Sequence, residues 1–393
     1  MSQADRTSTA QIFIHTGEVS GDLQGSLLIE ALYRQAQAQN RAIAITGVGG
    51  QRMQAAGAKI LFDTLKLSAI GLLEALPYYL KGREAQKTVN QYLLDHPPDL
   101  LVLLDYKGPN LAVGKFVRKH LPQVPIVYYI APQEWVFSTP STPTIVEISD
   151  KLLAIFPEEA TYYEAAGANV RWVGHPLVDI LANPTPKAEA RRQLAINPTA
   201  QVVTLLPASR QQELTYIMPR MFAAARKIKA AQPGVKFLVP VSLPDFEEEI
   251  AHCIEEFGLN ARLIDKADGR LAIAAADVVI NKSGTVNLEV ALMNVPQVVT
   301  YRLSNLTALI AKYVVRFSGD YVSPVNLMEN QPIVPELLQW DATPEKLSEA
   351  ALTLLTNEAE RQQMLAGYQQ MKQAMGEVGV CDRAAREILE MLA

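Results

Sequence analysis

Two short loops in the second half of the chain carry side chains that could bind a nucleotide. Loop 205–210 ends in Arg210, and loop 281–285 is followed one helical turn later by Glu289. Each loop follows an apolar, strand-like run and precedes a helix, so both should lie where free backbone N–H groups point outward from a parallel sheet. These N–H groups and Arg210 suit a diphosphate, and Glu289 suits the hydroxyls of a ribose. The other polar residues assigned to this site are Ser209, Ser283, Gly284 and Thr285.

A glycine-flanked loop, 16–22, follows the first strand-like run. Gly17 lets the backbone turn sharply and approach a ligand. Ser20 and Asp22 could equally cap the next helix, and we favour that role for Asp22. Glu18 has no evident structural role, so we place it in the site. The glycine spacing differs from the dinucleotide-binding fingerprint.

Asp105 ends a strongly apolar run, 100–104. A carboxylate at the carboxyl end of a buried parallel strand lies at the usual ligand edge of such sheets. Partial burial would raise its pKa towards that of a useful general base. The alternative role is an aspartate that caps the following loop. Asn110, five residues on, could orient a substrate.

The run 65–80 places apolar side chains on one face of a helix, with basic residues on its flanks. A stripe of this kind usually packs in a core. A half-exposed stripe with basic flanks and tyrosines would instead lie on an anionic membrane. The residues that would make this contact are Leu72, Leu73, Leu76 and Tyr79.

Short apolar runs alternate with longer amphipathic ones, which is typical of βαβ units and predicts the parallel sheets that would position these loops. Pro184, Pro186 and Pro198 mark a boundary between two halves. The last stretch predicts helices at 344–355, 358–375 and 383–392. We therefore expect an α/β protein with two doubly wound domains facing a cleft, closed at one end by helices. The predicted strands are 12–15, 42–45, 100–104, 126–130, 152–156, 170–173, 202–206, 237–241, 261–264, 278–280 and 297–301.

The composition argues against several classes of protein. The 393 residues exceed the usual size of one domain, and a net charge of −5 is not basic enough to suggest nucleic-acid binding. Cys253 and Cys381 lie far apart and no histidine shows metal-ligand spacing, so we expect neither a disulfide framework nor a structural zinc. This cysteine usage is typical of a protein in the reducing cytoplasm. No Walker lysine motif is present. The polar first residues and the lack of a long apolar stretch make any membrane association peripheral.

Six segments, in order along almost the whole chain, resemble one enzyme family. They are GEVSGD at 17–22, GGQRM at 49–53, WVGHP at 172–176, LPASR at 206–210, SGT at 283–285 with Glu289, and DYVSPVNL at 320–327. Each is short, but their order and spacing make the set specific. Together they resemble the lipid-A-disaccharide synthase family.

The resemblance implies the GT-B fold, two Rossmann-like domains with the final helices returning to the first. It implies inverting transfer of 2,3-diacylglucosamine from UDP onto 2,3-diacylglucosamine 1-phosphate, which gives a β-1,6-linked disaccharide 1-phosphate and UDP. It implies no metal and no cofactor. The implied domains are 1–178, an acceptor and membrane-docking domain completed by helices 358–393, and 179–357, a UDP-sugar domain.

The resemblance also implies roles for individual residues. Asp105 matches the family's candidate base, which would deprotonate the acceptor 6-hydroxyl. Arg210 and the loop 283–285 would take the charge of the leaving UDP. Asn326 matches a family site residue, and Glu18 and Ser20 fall in the family's glycine loop. We assign Glu18 and Asn326 to catalysis together with Asp105.

Fatty substrates favour membrane docking of the run 65–80, at the cytoplasmic face of the inner membrane. Exchange of the terminal helices between subunits would give a homodimer, and no nucleic-acid partner is expected.

The chain departs from the family pattern in two segments of its first half and at Ala208. Residues 106–110 replace the family's Pro-Asp-Phe-Asn run, and residues 133–138 replace Ser-Val-Trp-Ala-Trp-Arg without its basic residue. These changes leave the acyl or acceptor preference open. Two alternatives remain from the sequence. One is another UDP-N-acetylglucosamine enzyme, either the cell-wall glycosyltransferase or the 2-epimerase, and the other is a non-catalytic nucleotide-binding protein docked on membranes.

Overall fold

Two parallel sheets organise the chain, in a computed structural model that describes residues 9–17, 19–63, 75–137, 140–304 and 321–392. The chain divides into a first unit, Met1–Asp179 with Met375–Ala393, and a second unit, Ile180–Ala374. Each unit contains one sheet and the helices that cover it. The doubly wound α/β prediction is therefore confirmed.

The first unit has a seven-stranded parallel sheet in the order β3-β2-β1-β4-β5-β6-β7. Its central strand β4, Leu100–Leu104, is apolar and buried at every position, as expected for a strand with helices on both faces. The other strands are β1 (Ala10–His15), β2 (Ile43–Gly49), β3 (Lys59–Asp63), β5 (Ile126–Tyr129), β6 (Lys151–Ala154) and β7 (Val170–Trp172). The helices are Val19–Ala38, Gln51–Ala55, Ala75–Asp95, Lys107–His120, Glu134–Phe137, Thr142–Ile148, Pro157–Ala165, Leu177–Ile180 and Val380–Leu389.

The last helix, Val380–Leu389, packs against the first helix, Val19–Ala38. A guanidinium nitrogen of Arg34 lies 2.9 Å from a carboxylate oxygen of Asp382. Arg41 donates to the carbonyl of Leu389 at 2.7 Å. The return of the C-terminal helix to the N-terminal domain is thus confirmed.

The helix Glu358–Met375 lies in the second unit up to Ala374, whereas the family resemblance implies that helices 358–393 complete the first domain. Tyr368, on this helix, is fully buried and donates from its hydroxyl to the carbonyl of Val295 at 3.1 Å. The side chain of Gln297 donates to the same hydroxyl at 3.2 Å. These contacts with the second sheet explain why only the final helix belongs to the first unit.

His175 ties the end of the first unit's main segment to the returning chain. Its backbone N–H donates to the carbonyl of Met375 at 2.8 Å, and its Nδ1 accepts the N–H of Leu177 at 3.1 Å. Burial lowers the pKa of His175 to about 3, so the ring is neutral and Nδ1 is free to accept. These contacts give His175 a structural role at this junction.

The second unit has a six-stranded parallel sheet in the order β10-β9-β8-β11-β12-β13. Its strands are β8 (Val202–Leu206), β9 (Lys236–Pro240), β10 (Ala261–Ile264), β11 (Val278–Lys282), β12 (Gln297–Tyr301) and β13 (Glu336–Leu338). Its α-helices are Lys187–Gln193, Gln211–Tyr216, Met218–Ala231, Glu247–Glu256, Gly269–Ala275, Val286–Leu292, Pro324–Glu329, Pro344–Thr356 and Glu358–Met375, and its 3₁₀ helices are Pro244–Phe246 and Lys266–Asp268.

Strand order reverses once in each sheet, between β1 and β4 in the first unit and between β8 and β11 in the second. In doubly wound sheets the loops on either side of such a reversal diverge and leave a crevice at the carboxyl ends of the strands, where ligands bind. The loops that the sequence singles out follow these four strands. Each unit therefore has its candidate residues at its own switch point.

Within the described residues, none of the helices is both long enough and apolar enough to cross a membrane. The same part of the chain has no group of three or more histidine, cysteine, aspartate or glutamate side chains placed to hold a metal ion. Cys253 and Cys381 are both buried and unpaired with each other.

Candidate active site

The backbone turns in a strained conformation where β4 ends. Asp105 and Tyr106 have φ angles of 51° and 41°, in the left-handed region that residues other than glycine rarely adopt. Three hydrogen bonds hold this turn. Asn110 donates to the carbonyls of Leu104 at 3.1 Å and Asp105 at 2.5 Å, and the hydroxyl of Tyr128 donates to the carbonyl of Asp105 at 3.0 Å. Strain that persists because its surroundings enforce it is typical of functional sites.

Asn110 is fully buried, so it orients this turn rather than a substrate. Both of its amide hydrogens are used on the two carbonyls, which leaves its Oδ1 as an acceptor. His15 Nδ1 lies 2.6 Å from that oxygen. Burial lowers the pKa of His15 to about 4, so the neutral ring carries its hydrogen on Nδ1 and donates it. The sequence identified the right residue for a different role.

The carboxylate of Asp105 meets the glycine loop at Ser20. The hydroxyl of Ser20 donates to Oδ2 of Asp105 at 3.2 Å. Burial raises the pKa of Asp105 above its ordinary value, and the hydrogen bond from Ser20 opposes that shift. Two residues that are 85 positions apart and were each predicted for the site are therefore neighbours.

Gly17 and Asp22 have structural roles in this loop. A Cβ atom at Gly17 would lie 2.0 Å from a ring carbon of Tyr106, so glycine is needed for the ring to approach. Asp22 accepts the backbone N–H groups of Gly50 at 2.9 Å and Met53 at 3.1 Å. It thus caps the helix Gln51–Ala55, whereas the sequence predicts a cap on its own helix. Glu18 lies outside the described residues.

An ion pair joins the two segments that depart from the family pattern. Nζ of Lys107 lies 2.5 Å from Oε1 of Glu134, whose side chain is 2% exposed. Lys107 begins the helix Lys107–His120, where a positive charge is unfavourable to the helix dipole. The carboxylate of Glu134 therefore offsets the unfavourable position of the lysine. The lysine in turn compensates the carboxylate for the hydration that it loses on burial.

We predict that Lys107→Met lowers the free energy of unfolding by about 1–3 kcal/mol, because it leaves a buried carboxylate without its cation. The value lies below that of a fully buried pair since Lys107 is 40% exposed. The double variant Lys107→Met with Glu134→Gln should recover part of the loss in urea denaturation. Strictly additive effects of the two changes would contradict this coupling.

In the second unit, Glu213 organises the loop that ends in Arg210. Its Oε2 accepts the backbone N–H of Ser209 at 2.6 Å, the hydroxyl of Ser209 at 3.2 Å and the backbone N–H of Arg210 at 3.2 Å. The prediction that these N–H groups hold a diphosphate is therefore wrong for this conformation, because a buried carboxylate already occupies them. The side chain of Arg210 is exposed and remains a candidate.

Asn287 organises the second loop. It is fully buried, and its Oδ1 accepts the N–H of Gly284 at 2.9 Å while its Nδ2 donates to the carbonyl of Lys282 at 3.0 Å. The hydroxyl of Ser283 donates to the carbonyl of Val322 at 3.0 Å. Ser283 and Gly284 thus shape the loop, and Thr285 is its exposed member.

Glu289 and Asn326 differ in their access to solvent. Oε2 of Glu289 lies 3.0 Å from Nε of Arg270, and both side chains are partly exposed, so ribose hydroxyls could compete for this weak pair. Asn326 is fully buried and donates to the carbonyl of Val334 at 3.0 Å and to Oε2 of Glu336 at 3.1 Å. This geometry favours a structural role for Asn326 over the catalytic role predicted for it.

Three residues of this site were not singled out by the sequence: Glu213, Lys282 and Asn287. Glu213 had a readable signal, because a glutamate three residues after a helix N-cap is typical of a capping box. Asn287 and Lys282 had none, since their contacts depend on how the loops fold back.

Known proteins resemble this chain over nearly its whole length. A family model described as Lipid-A-disaccharide synthetase matches residues 12–389. The lipid-A-disaccharide synthase of Gloeothece citriformis is 50% identical over 97% of this chain and 99% of its own, and that of Synechocystis sp. is 47% identical over 97% of each.

Among solved structures, a putative UDP-N-acetylglucosamine 2-epimerase from Listeria monocytogenes has a TM-score of 0.64 at 16% identity, covering 98% of this chain and 96% of that one. CalG4, the calicheamicin glycosyltransferase, has a TM-score of 0.58 at 15% identity, covering 98% of each chain. These structural likenesses confirm the GT-B fold and extend no further than the fold.

Proposed function

The chain belongs to the lipid-A-disaccharide synthetase family and is a disaccharide-forming glycosyltransferase, and from this premise we propose how its residues divide the reaction. The substrates that the family implies are UDP-2,3-diacylglucosamine and 2,3-diacylglucosamine 1-phosphate. The products are the β-1,6-linked disaccharide 1-phosphate and UDP. The first unit binds the acceptor, and the second binds the UDP-sugar.

Asp105 is the general base of this reaction. It takes the proton of the acceptor 6-hydroxyl while that oxygen attacks C1 of the donor sugar, and UDP leaves from the opposite face. The observation that carries this assignment is the position of the Asp105 carboxylate: it lies at the switch point on a strained turn. The hydroxyl of Ser20 donates to its Oδ2. Ser20 keeps one carboxylate oxygen oriented, and Asn110 and Tyr128 hold the peptide beneath it.

Arg210 and Glu289 bind the nucleotide in the second unit. The exposed guanidinium of Arg210 suits the bidentate recognition of a phosphate. Glu289, on the helix that follows the loop 283–285, suits the ribose hydroxyls. Thr285 is the loop residue with an exposed side chain, and it supports the same site.

A mixing assay tests this function directly. UDP-2,3-diacylglucosamine and 2,3-diacylglucosamine 1-phosphate are incubated with the protein, and UDP and the disaccharide product are measured together. Equal amounts of both products are expected, and only when both substrates are present. UDP binding without turnover would indicate a silent nucleotide-binding protein, and turnover of UDP-N-acetylglucosamine alone would indicate an epimerase.

Docking on the membrane through the run 65–80 is part of the proposal. Leu72 and Leu73 lie outside the described residues, and Leu76 and Tyr79 fall in the first turns of the helix Ala75–Asp95. Substrates with acyl chains require access to a bilayer, which favours an amphipathic face with basic flanks. A homodimer formed by exchange of terminal helices and a cytoplasmic location stay predictions.

We expect Leu72→Glu with Leu73→Glu to reduce co-sedimentation with anionic phospholipid vesicles at least about tenfold, since it replaces apolar contact area by charges that anionic lipid repels. Leu94→Glu is the matched control, because Leu94 is a 41% exposed leucine near the C-terminal end of the helix Ala75–Asp95, outside the run 65–80. Equal loss in both variants, or none in either, would remove the run 65–80 from membrane docking.

A further inference from the structure

Lys282 is the last residue of β11 and lies between the two loops of the second unit's switch point. Its Nζ is 3.4 Å from Oε1 of Glu213, the carboxylate whose other oxygen holds the loop of Arg210. A Cβ atom at Gly284 would lie 3.2 Å from the same Nζ, and Gly284 has a φ of 155°. The ammonium group is thus enclosed by the loop 283–285 on one side and by Glu213 on the other.

The charges around Lys282 favour an anion. Glu213 is one buried carboxylate; the ammonium group of Lys282 lies beside it, and its Oε2 accepts the backbone N–H of Arg210, whose side chain is exposed. Burial raises the pKa of the Tyr301 hydroxyl at the end of β12; the charge of Glu213 raises it further and that of Arg210 lowers it, so both charges act on this hydroxyl. The ends of the adjacent strands β8, β11 and β12 therefore bring the ammonium group of Lys282 and the loop of Arg210 to the same edge of the sheet.

The contact of Lys282 with Glu213 is loose for a structural ion pair. Charge-assisted hydrogen bonds usually measure about 2.7–2.9 Å, whereas this separation is 3.4 Å. The lysine side chain is also 17% exposed, although Glu213 is almost inaccessible. A flexible lysine stem held at this distance can move its ammonium group towards a ligand without leaving the carboxylate entirely.

We propose that Lys282 is a second cation for the diphosphate of the UDP-sugar, beside Arg210. This inference rests on the proposed function and adds a residue to it. In the transfer, the bond between C1 and the β-phosphate oxygen breaks and its electron pair stays on the phosphate, while the acceptor O6 bonds to C1 and its proton passes to Asp105. The leaving UDP gains one negative charge, and Lys282 and Arg210 together offset it. Glu213 keeps the ammonium group beside the loop of Arg210.

The test compares UDP with uridine, which lacks phosphate, by isothermal titration. Lys282→Met should weaken UDP binding about tenfold, a modest charge-assisted contact, and leave uridine binding unchanged. It should also lower kcat, because the contact strengthens as the phosphate gains charge. Lys282→Arg should retain most of the UDP affinity. Lys346→Met is the matched control, since Lys346 is an ion-paired lysine of the same unit, far along the chain from both loops.

Each outcome decides one question. If Lys282→Met changes UDP and uridine affinity by the same factor, Lys282 is only structural and the inference is wrong. If Lys282→Met does not fold because Glu213 loses its partner, the double variant Lys282→Met with Glu213→Gln restores neutrality and should show the same selective loss of UDP. If the unaltered protein binds UDP no more tightly than uridine, the proposed function itself fails.

Discussion

Replacing Asp105 with asparagine should lower kcat by roughly 10²- to 10⁴-fold, the usual contribution of a positioned general base. Asparagine is nearly isosteric and tolerates the left-handed backbone that Asp105 adopts, so the turn should persist. Its amide cannot accept the proton of the acceptor hydroxyl. UDP binding should be unchanged, because we assign the nucleotide to the second unit.

Steady-state rates and UDP titration on the same preparation measure both effects. Asp99→Asn is a suitable control, since Asp99 precedes the same strand and its carboxylate accepts the N–H of Gln11 at 2.7 Å. An Asp105→Asn protein with an unimpaired rate would remove Asp105 from the mechanism. A parallel loss of UDP affinity would show that the change disturbs more than the base.

The pH dependence supplies an independent measure of this base. Asp105 accepts a proton only when it is deprotonated, so kcat/KM should fall as pH falls through its pKa. Burial places that pKa above the ordinary value, and the hydrogen bond from Ser20 lowers it. Ser20→Ala should therefore move the acidic limb of the profile to higher pH, and an unmoved limb would contradict the contact.

Replacing Arg210 with alanine should weaken UDP binding about 10- to 100-fold, the effect of losing a hydrogen-bonded charge. The guanidinium is exposed and its own backbone N–H is already bound by Glu213, so truncation should leave the loop intact. Arg210→Lys should give an intermediate affinity, because lysine keeps the charge but not the two-pronged geometry.

Titration calorimetry with UDP measures this effect, and Arg192→Ala is the matched control. Arg192 is an exposed arginine of the same unit that pairs with Glu189. Unchanged affinity in Arg210→Ala would place the diphosphate elsewhere. A loss of equal size for uridine would indicate a collapsed loop instead of a missing phosphate contact.

The sequence predicts the interior strands of both sheets and misses one edge strand of each sheet. Strands such as Leu100–Leu104 and Val202–Leu206 are apolar throughout because both faces are covered. The two strands that the pattern misses, Lys59–Asp63 and Glu336–Leu338, are edge strands whose residues are mostly half-buried. The short, half-buried β13 and the exposed start of β3 carry a weak apolar signal that composition alone does not distinguish from a loop, whereas the edge strands β7 and β10 were predicted.

The positions of candidate residues were easier to predict than their roles. Carboxyl ends of parallel strands follow from the pattern of runs, and these placed Asp105 and Arg210 at the switch points. The direction of a buried amide does not follow from any pattern. Asn110 and Asn326 were predicted to serve the substrate, yet both are fully buried and donate to backbone carbonyls, which depends on contacts that only the fold supplies.

The ion pair between Lys107 and Glu134 has a consequence for protein engineering. Lys107 and Glu134 are 27 positions apart in the chain, and they belong to the two segments in which the sequence analysis notes departures from the family's common motifs. Replacing only segment 106–110 by one without a lysine at position 107 would leave the buried carboxylate of Glu134 without its cation, whereas exchanging both segments would remove the two charges together. Chimeras that aim to alter acceptor choice should therefore treat 106–110 and 133–138 as a single cassette.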